Sequence, residues 1–144
     1  MVAHGKLYTR HRLQSWGMQV DQKCVLCKQA NESIQHLFFE CSYANTLWST
    51  LLVWQGIKRS VNDWDEELRW AEKRTKRKTA AAELYKMALA ATVHYVWQER
   101  NARTFQAKVK GWELICKKII QELHCRSSWH IEKILHRLDW YPMK

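Results

Sequence analysis

The segment CVLCKQANESIQHLFFEC, residues 24–41, places four soft donors as Cys24-x2-Cys27-x8-His36-x4-Cys41. A Cys-x-x-Cys turn aims two thiolates at one cation, and its backbone N–H groups can hydrogen-bond the sulfurs. Ser33 is suited to cap a helix whose apolar positions Ile34, Leu37 and Phe38 keep helical spacing, which puts His36 in the first turn. Each α-helical residue turns about 100°, so a donor five positions on does not return to the same face. Cys41 is therefore expected where that helix ends or bends. Three thiolates and one imidazole fill a tetrahedron and leave no open position, the pattern of one structural Zn²⁺ rather than a catalytic metal. The alternative is four thiols and imidazole without a metal; the pair, the spacing and the helix start together favour zinc. Bound zinc would contribute folding free energy on the order of 10 kcal/mol to a segment expected to have little core of its own. Cys116, Cys125, His94, His124, His130 and His136 form no comparable set.

The rest of the chain reads as helix. Among 144 residues there are only 4 Gly and 1 Pro, so breakers are few, and 47% hydrophobic with 26% charged residues is a globular composition. A helix is expected over Lys6–Trp16 with Gly17 as its stop, then one over Tyr43–Trp54 on Leu47, Leu51 and Trp54, ended by Gly56. Val61–Glu72 opens on Asp63, Asp65, Glu66 and Glu67, which suit a helix N-terminus. Thr79–Phe105 is a long Ala-rich amphipathic helix with a narrow seam at Leu84, Ala88, Ala91, Tyr95, Ala102 and Phe105. Lys108–Gly111 interrupts it. Beyond, Trp112, Cys116, Ile119, Leu123, Ile131, Ile134, Leu135 and Leu138 make one further long helix, or two meeting near Ser127 and Ser128. The expected fold is all-α: a zinc-knuckle-like Cys-Cys-His-Cys segment on a bundle of about five helices, two of them long and C-terminal. Residues 1–56 form the zinc-binding segment and 57–144 the basic helical region, packed with it as one domain.

No apolar run reaches the 18 or so residues that span a bilayer, and Met1–His11 is too polar for a signal peptide, so a nuclear or cytoplasmic protein with reduced cysteines is expected. The net charge of +10 points to a polyanionic partner. Residues 1–50 carry five basic and three acidic side chains, so most of the excess lies beyond them. It concentrates in KRTKRK, residues 73–78, where Lys73, Arg74, Lys76, Arg77 and Lys78 are candidate phosphate contacts, extended by Arg100 and Arg103 opposite the Ala88/Ala91 seam. The same run also fits a solvated face or a nuclear-import signal. Nine Trp are more simply core than base-stacking platforms; Trp16 and Trp64 are the candidates for the second role.

The segments KLYTRHRLQSWGM (6–18), CVLCKQANESIQHLFFEC (24–41) and SYANTLWSTLL (42–52) together resemble the zinc-binding domain that follows the polymerase in plant LINE-type (non-LTR) retrotransposon reverse transcriptases. VWQERNARTF (96–105) is similar to a Trp-x-Glu-Arg-Asn-x-x-x-Phe segment found downstream in these elements. The resemblance implies zinc on Cys24, Cys27, His36 and Cys41, and a role in engaging nucleic acid. Family domains usually begin with a Trp-rich, Pro-Lys-containing segment, so the resemblance is to an N-terminally truncated domain without its polymerase. Residues 106–144 carry no part of it.

Two functions follow as expectations. One is a structural-zinc helical module binding RNA or single strands with low sequence specificity. The other is a protein–protein adaptor, or a self-associating module, using the 84–105 seam. No membrane and no small-molecule substrate is expected. Neither is catalysis, since no paired polymerase Asp motif, Ser/His/Asp set or Gly-rich phosphate loop appears.

Overall fold

A computed structural model describes residues 23–126 and 129–135. The expected Lys6–Trp16 helix with Trp16 and Gly17, and the C-terminal Leu138, Trp140 and Pro142, lie outside the described residues. Within them the protein is all-α: α1 (Ser42–Trp54), α2 (Trp64–Thr75), α3 (Ala80–Phe105), α4 (Trp112–Arg126) and α5 (Trp129–Leu135), preceded by a π-helical turn over His36–Glu40. In the C-terminal region the described helices end at Arg126 and resume at Trp129; Ser127 and Ser128, where the sequence allows one helix or two, lie outside the described residues. No described helix is long and apolar enough to cross a membrane.

Local chemistry sets the boundaries. Ser33 caps as expected, its Oγ accepting from the His36 N–H at 3.1 Å. After α1, Gly56 takes φ +81°, the Ile57 N–H reaches Leu52 O at 2.9 Å, and the Gly56 N–H reaches Val53 O at 2.9 Å. That is a Schellman stop, which uses the left-handed freedom of glycine. Helix α2 starts later than its acidic run suggests, because Asp63 is extended and its carboxylate caps the Glu66 N–H at 2.9 Å. It also runs further, to Thr75, with Lys73 and Arg74 in its last turn against the negative end of the dipole. Thr79 caps α3 through the Ala82 N–H at 3.1 Å.

Helix α3, 26 residues and so about 39 Å long, is the spine against which the π-turn and the other four helices pack. Its buried stripe is Leu84, Tyr85, Ala88, Thr92, Val96, Glu99 and Arg100, which differs from the expected seam. Leu84 and Ala88 are inside, but Ala91, Tyr95 and Ala102 are half-buried and Phe105 is 73% exposed. A strict seven-residue repeat drifts about 20° per heptad on a straight helix. The seam therefore rotates off the packed face toward the C-terminal end.

Aromatic packing fills the centre. Trp48 meets Tyr85 edge-on at 5.4 Å, Trp70 lies 5.2 Å from Tyr85, and Trp64 sits between Phe38 and Phe39 at 6.1 and 5.6 Å. Trp64 is therefore core and offers no stacking surface. Leu37, Phe38 and Phe39 are essentially inaccessible, so the zinc-type segment is not short of core, as its sequence suggests; it inserts three consecutive apolar side chains into the main one. Each is worth about 1.5–3 kcal/mol of burial.

Candidate metal centre

The four donor residues converge. The metal-binding atoms of Cys24, Cys27, His36 and Cys41 all lie within 4.8 Å of one another. Cys24 Sγ is 3.8 Å from Cys41 Sγ, and Cys27 Sγ is 3.2 Å from His36 Nε2. Zn–S bonds of about 2.3 Å in a tetrahedron set sulfur–sulfur edges of about 3.8 Å, so the spacing and the donor chemistry both fit zinc. The cluster is arranged to hold one metal ion.

Two local structures build it. Residues 23–31 fold into a knuckle: the Lys28 N–H reaches Cys24 O and the Cys24 N–H reaches Ala30 O, both at 2.8 Å, with Lys28 left-handed at φ +59°. The N–H groups of Cys27 and Leu26 favour the Cys24 thiolate, as the Cys-x-x-Cys geometry predicts. The second structure solves the spacing problem of His36 and Cys41. Residues 36–40 widen into a π-turn, and the Cys41 N–H closes on His36 O at 2.6 Å, five residues back. Inserting the wider turn brings a donor at i+5 round to the His36 side, a use of π-bulges common at functional sites. Cys41 is then extended (φ −62°, ψ 132°) and serves as the N-cap of α1.

Cys24 and Cys41 are both buried, with their sulfurs side by side. The hydrogen bond from the Cys41 thiol lowers Cys24 to about 5, against the opposing effect of burial. Its partner is pushed up by holding that proton and by burial, although the Ala44 N–H in the first turn of α1 acts the other way. Thiols bind a metal ion as thiolates, so metal binding at this cluster releases protons.

Two arginines of α3 clamp the centre to the bundle. Arg100 Nε and Nη2 reach Glu32 Oε2 and Oε1, each at 3.1 Å, in a fork between side chains 3% and 0% exposed. Its guanidinium also lies 4.8 Å over Trp97. Arg103 pairs with Glu99 at 2.7 Å, donates to the carbonyls of Leu26 and Lys110 at 3.3 and 3.0 Å, and stacks 4.9 Å from the Tyr43 ring. Tyr43 Oη in turn donates to Lys110 O at 2.9 Å. The expectation that Arg100 and Arg103 contact nucleic acid is corrected: both point inward and hold the knuckle, α1 and the 106–111 loop to the spine. Glu32 and Glu99 are the residues sequence reasoning missed. Their signal was the acidic position between the metal donors and the Glu-Arg pair of the 96–105 motif.

The 73–78 run sits at the α2–α3 corner and is exposed except for Arg74, which lies 5.3 Å over Trp70. Lys76 pairs loosely with Glu72 at 3.8 Å. Lys73, Arg77 and Lys78 are exposed and form no ion pair among the described residues. Of the other thiols, Cys116 is fully buried and pushed up to about 11 by burial, whereas Cys125 is exposed.

Residues 1–48 match the family model described as zinc-binding in reverse transcriptase. The match includes all four donors and ends within α1. It covers a third of the chain and is the match of a zinc-binding domain, not of a polymerase. No curated protein and no solved structure matches the chain.

Proposed function

We propose that the protein is a zinc-braced helical module that binds RNA or single-stranded nucleic acid with little sequence preference, derived from the domain that follows the polymerase in a plant LINE-type reverse transcriptase. The observation that carries the reading is the α2–α3 corner, where Lys73, Arg77 and Lys78 stand exposed and unengaged by carboxylates among the described residues, on a chain of net charge +10. Lys76, on its loose pair, and the half-buried Arg74 flank them. Cationic side chains free to release counterions from phosphates give sequence-independent affinity. Four protein donors around the metal leave no bound water to activate, which supports a non-enzymatic role.

The adaptor reading depended on an open 84–105 seam. Leu84 and Ala88 are packed inside the bundle, which leaves Ala91, Tyr95, Ala102 and Phe105 as the part of the seam open to a partner. The deciding experiment is a fluorescence-anisotropy titration of labelled single-stranded RNA at two salt concentrations. Binding that weakens with salt, with a slope of about 0.7 per phosphate contacted, supports the proposal; no binding at low salt refutes it.

A further inference from the structure

A second polar, cationic feature lies at the far end of α3 from the 73–78 corner. Where the last turns of α3, the 106–111 loop and the first turns of α4 meet, a cavity of about 310 Å³ is lined by Tyr95, Gln98, Asn101, Gln106, Lys110 and Lys118 among others. The two lysines come from different elements, yet both line this cavity, and the neighbouring Lys110 amine lowers the Lys118 pKa. Two ammonium groups facing one cavity repel, and an anion shared between them relieves that repulsion.

The remaining walls suit an oxyanion. Asn101 Oδ1 accepts from Arg100 Nη1 at 2.8 Å, which leaves the amide NH₂ as the free donor of that side chain. Gln98 and Gln106 add further amides on the same wall. The one carboxylate at the cavity, Glu99, is engaged through Oε2 by Arg103 Nε at 2.7 Å and the Lys110 N–H at 2.8 Å. The loop is held in place by the Lys110 carbonyl, which accepts from Tyr43 and Arg103. Lys110 is thus fixed at its backbone while its side chain lines the cavity.

The geometry points to this cavity as a phosphate-binding pocket, with Lys110 and Lys118 sharing one phosphate group of a nucleic-acid strand and the amides of Gln98, Asn101 and Gln106 donating to its remaining oxygens. The nature of the ligand rests on the proposed nucleic-acid function; the pocket's preference for phosphate does not. Lysine serves as a point-charge phosphate binder, and the neutral amides add direction that a bare lysine pair lacks. With the 73–78 corner at the opposite end, a strand lying along α3 would meet cationic groups at both ends of a helix of about 39 Å.

The test uses the whole chain in its zinc-loaded form and inorganic phosphate as the probe. In ¹⁵N-labelled protein, phosphate should move the side-chain amide resonances of Gln98, Asn101 and Gln106 saturably, chloride at equal ionic strength should not, and Lys110→Gln/Lys118→Gln should abolish the response. Amides that do not move, that move equally with chloride, or that still respond in the double variant overturn the pocket. With single-stranded RNA, the double variant should lower the salt slope by about 0.7, the share of the one phosphate that the two lysines hold. A 5′-phosphorylated oligonucleotide that binds more tightly than its hydroxyl-ended twin identifies a terminal phosphate as the group held; equal affinity with the reduced slope identifies an internal diester. Failure of all RNA binding removes the proposed function and leaves the phosphate titration to judge the pocket, while RNA binding with a silent phosphate titration removes the pocket alone.

Discussion

Arg100 and Arg103 near the end of α3 and Lys73, Arg77 and Lys78 before its start belong to the same basic excess, yet they do opposite work. Arg100 is buried and Arg103 half-buried, each guanidinium matched to a carboxylate and an aromatic ring. The lysine-rich set is exposed and has no ion pair among the described residues. A buried charge must be paired or it is ruinous, whereas an exposed one contributes almost nothing to stability and remains available to a ligand. Positive charge counted along a sequence therefore overstates a binding surface by whatever fraction is structural.

The contrast is sharpest when the metal is removed. Chelation, or Cys24→Ser, should remove a folding contribution on the order of 10 kcal/mol and release the knuckle that both arginines hold. Loss of stoichiometric zinc by mass spectrometry, with a fall in thermal midpoint, checks this; a midpoint indifferent to chelator breaks the assignment. Next in size, Glu32→Gln or Arg100→Met should each cost about 3–5 kcal/mol, because either leaves a charge or donor buried without its partner. The double variant should cost clearly less than the sum, a coupling measurable by urea denaturation of all four proteins. Smallest in stability is Lys73→Gln/Arg77→Gln/Lys78→Gln, expected within about 0.5 kcal/mol per site of the parent but with the RNA salt slope reduced by about 2. A large destabilisation from this triple variant, with RNA affinity unchanged, would invert the comparison. As a control on the interior, iodoacetamide at pH 8 should label exposed Cys125 and spare Cys116, whose thiol burial raises to about 11.

The metal donors were legible because their identity and spacing are local. So were the Ser33 cap and the Gly56 stop, each of which acts within a few residues. The π-turn was not legible as such: the x4 spacing announced a bend at Cys41, but the particular solution depends on burying Leu37, Phe38 and Phe39 together against Trp64. The roles of Arg100 and Arg103 were hidden for another reason. Glu32 lies 68 residues from Arg100, and no helical periodicity reports a partner at that range. A charged side chain on an amphipathic pattern reads as solvent-facing until its counter-ion is found on another element. The seam misled because a heptad written on one helix says nothing about whether its neighbours coil around it.

Cys41 belongs to two structures at once, closing the π-turn and opening α1, six residues before the inaccessible Leu47. The residue whose sulfur would grip the cation thus also stands at the start of the helix from which the tryptophan-lined interior is hung. An oxidant or competing chelator acting on that sulfur would loosen the origin of α1, and the indole emission of Trp48 would register the event before the far end of the spine did.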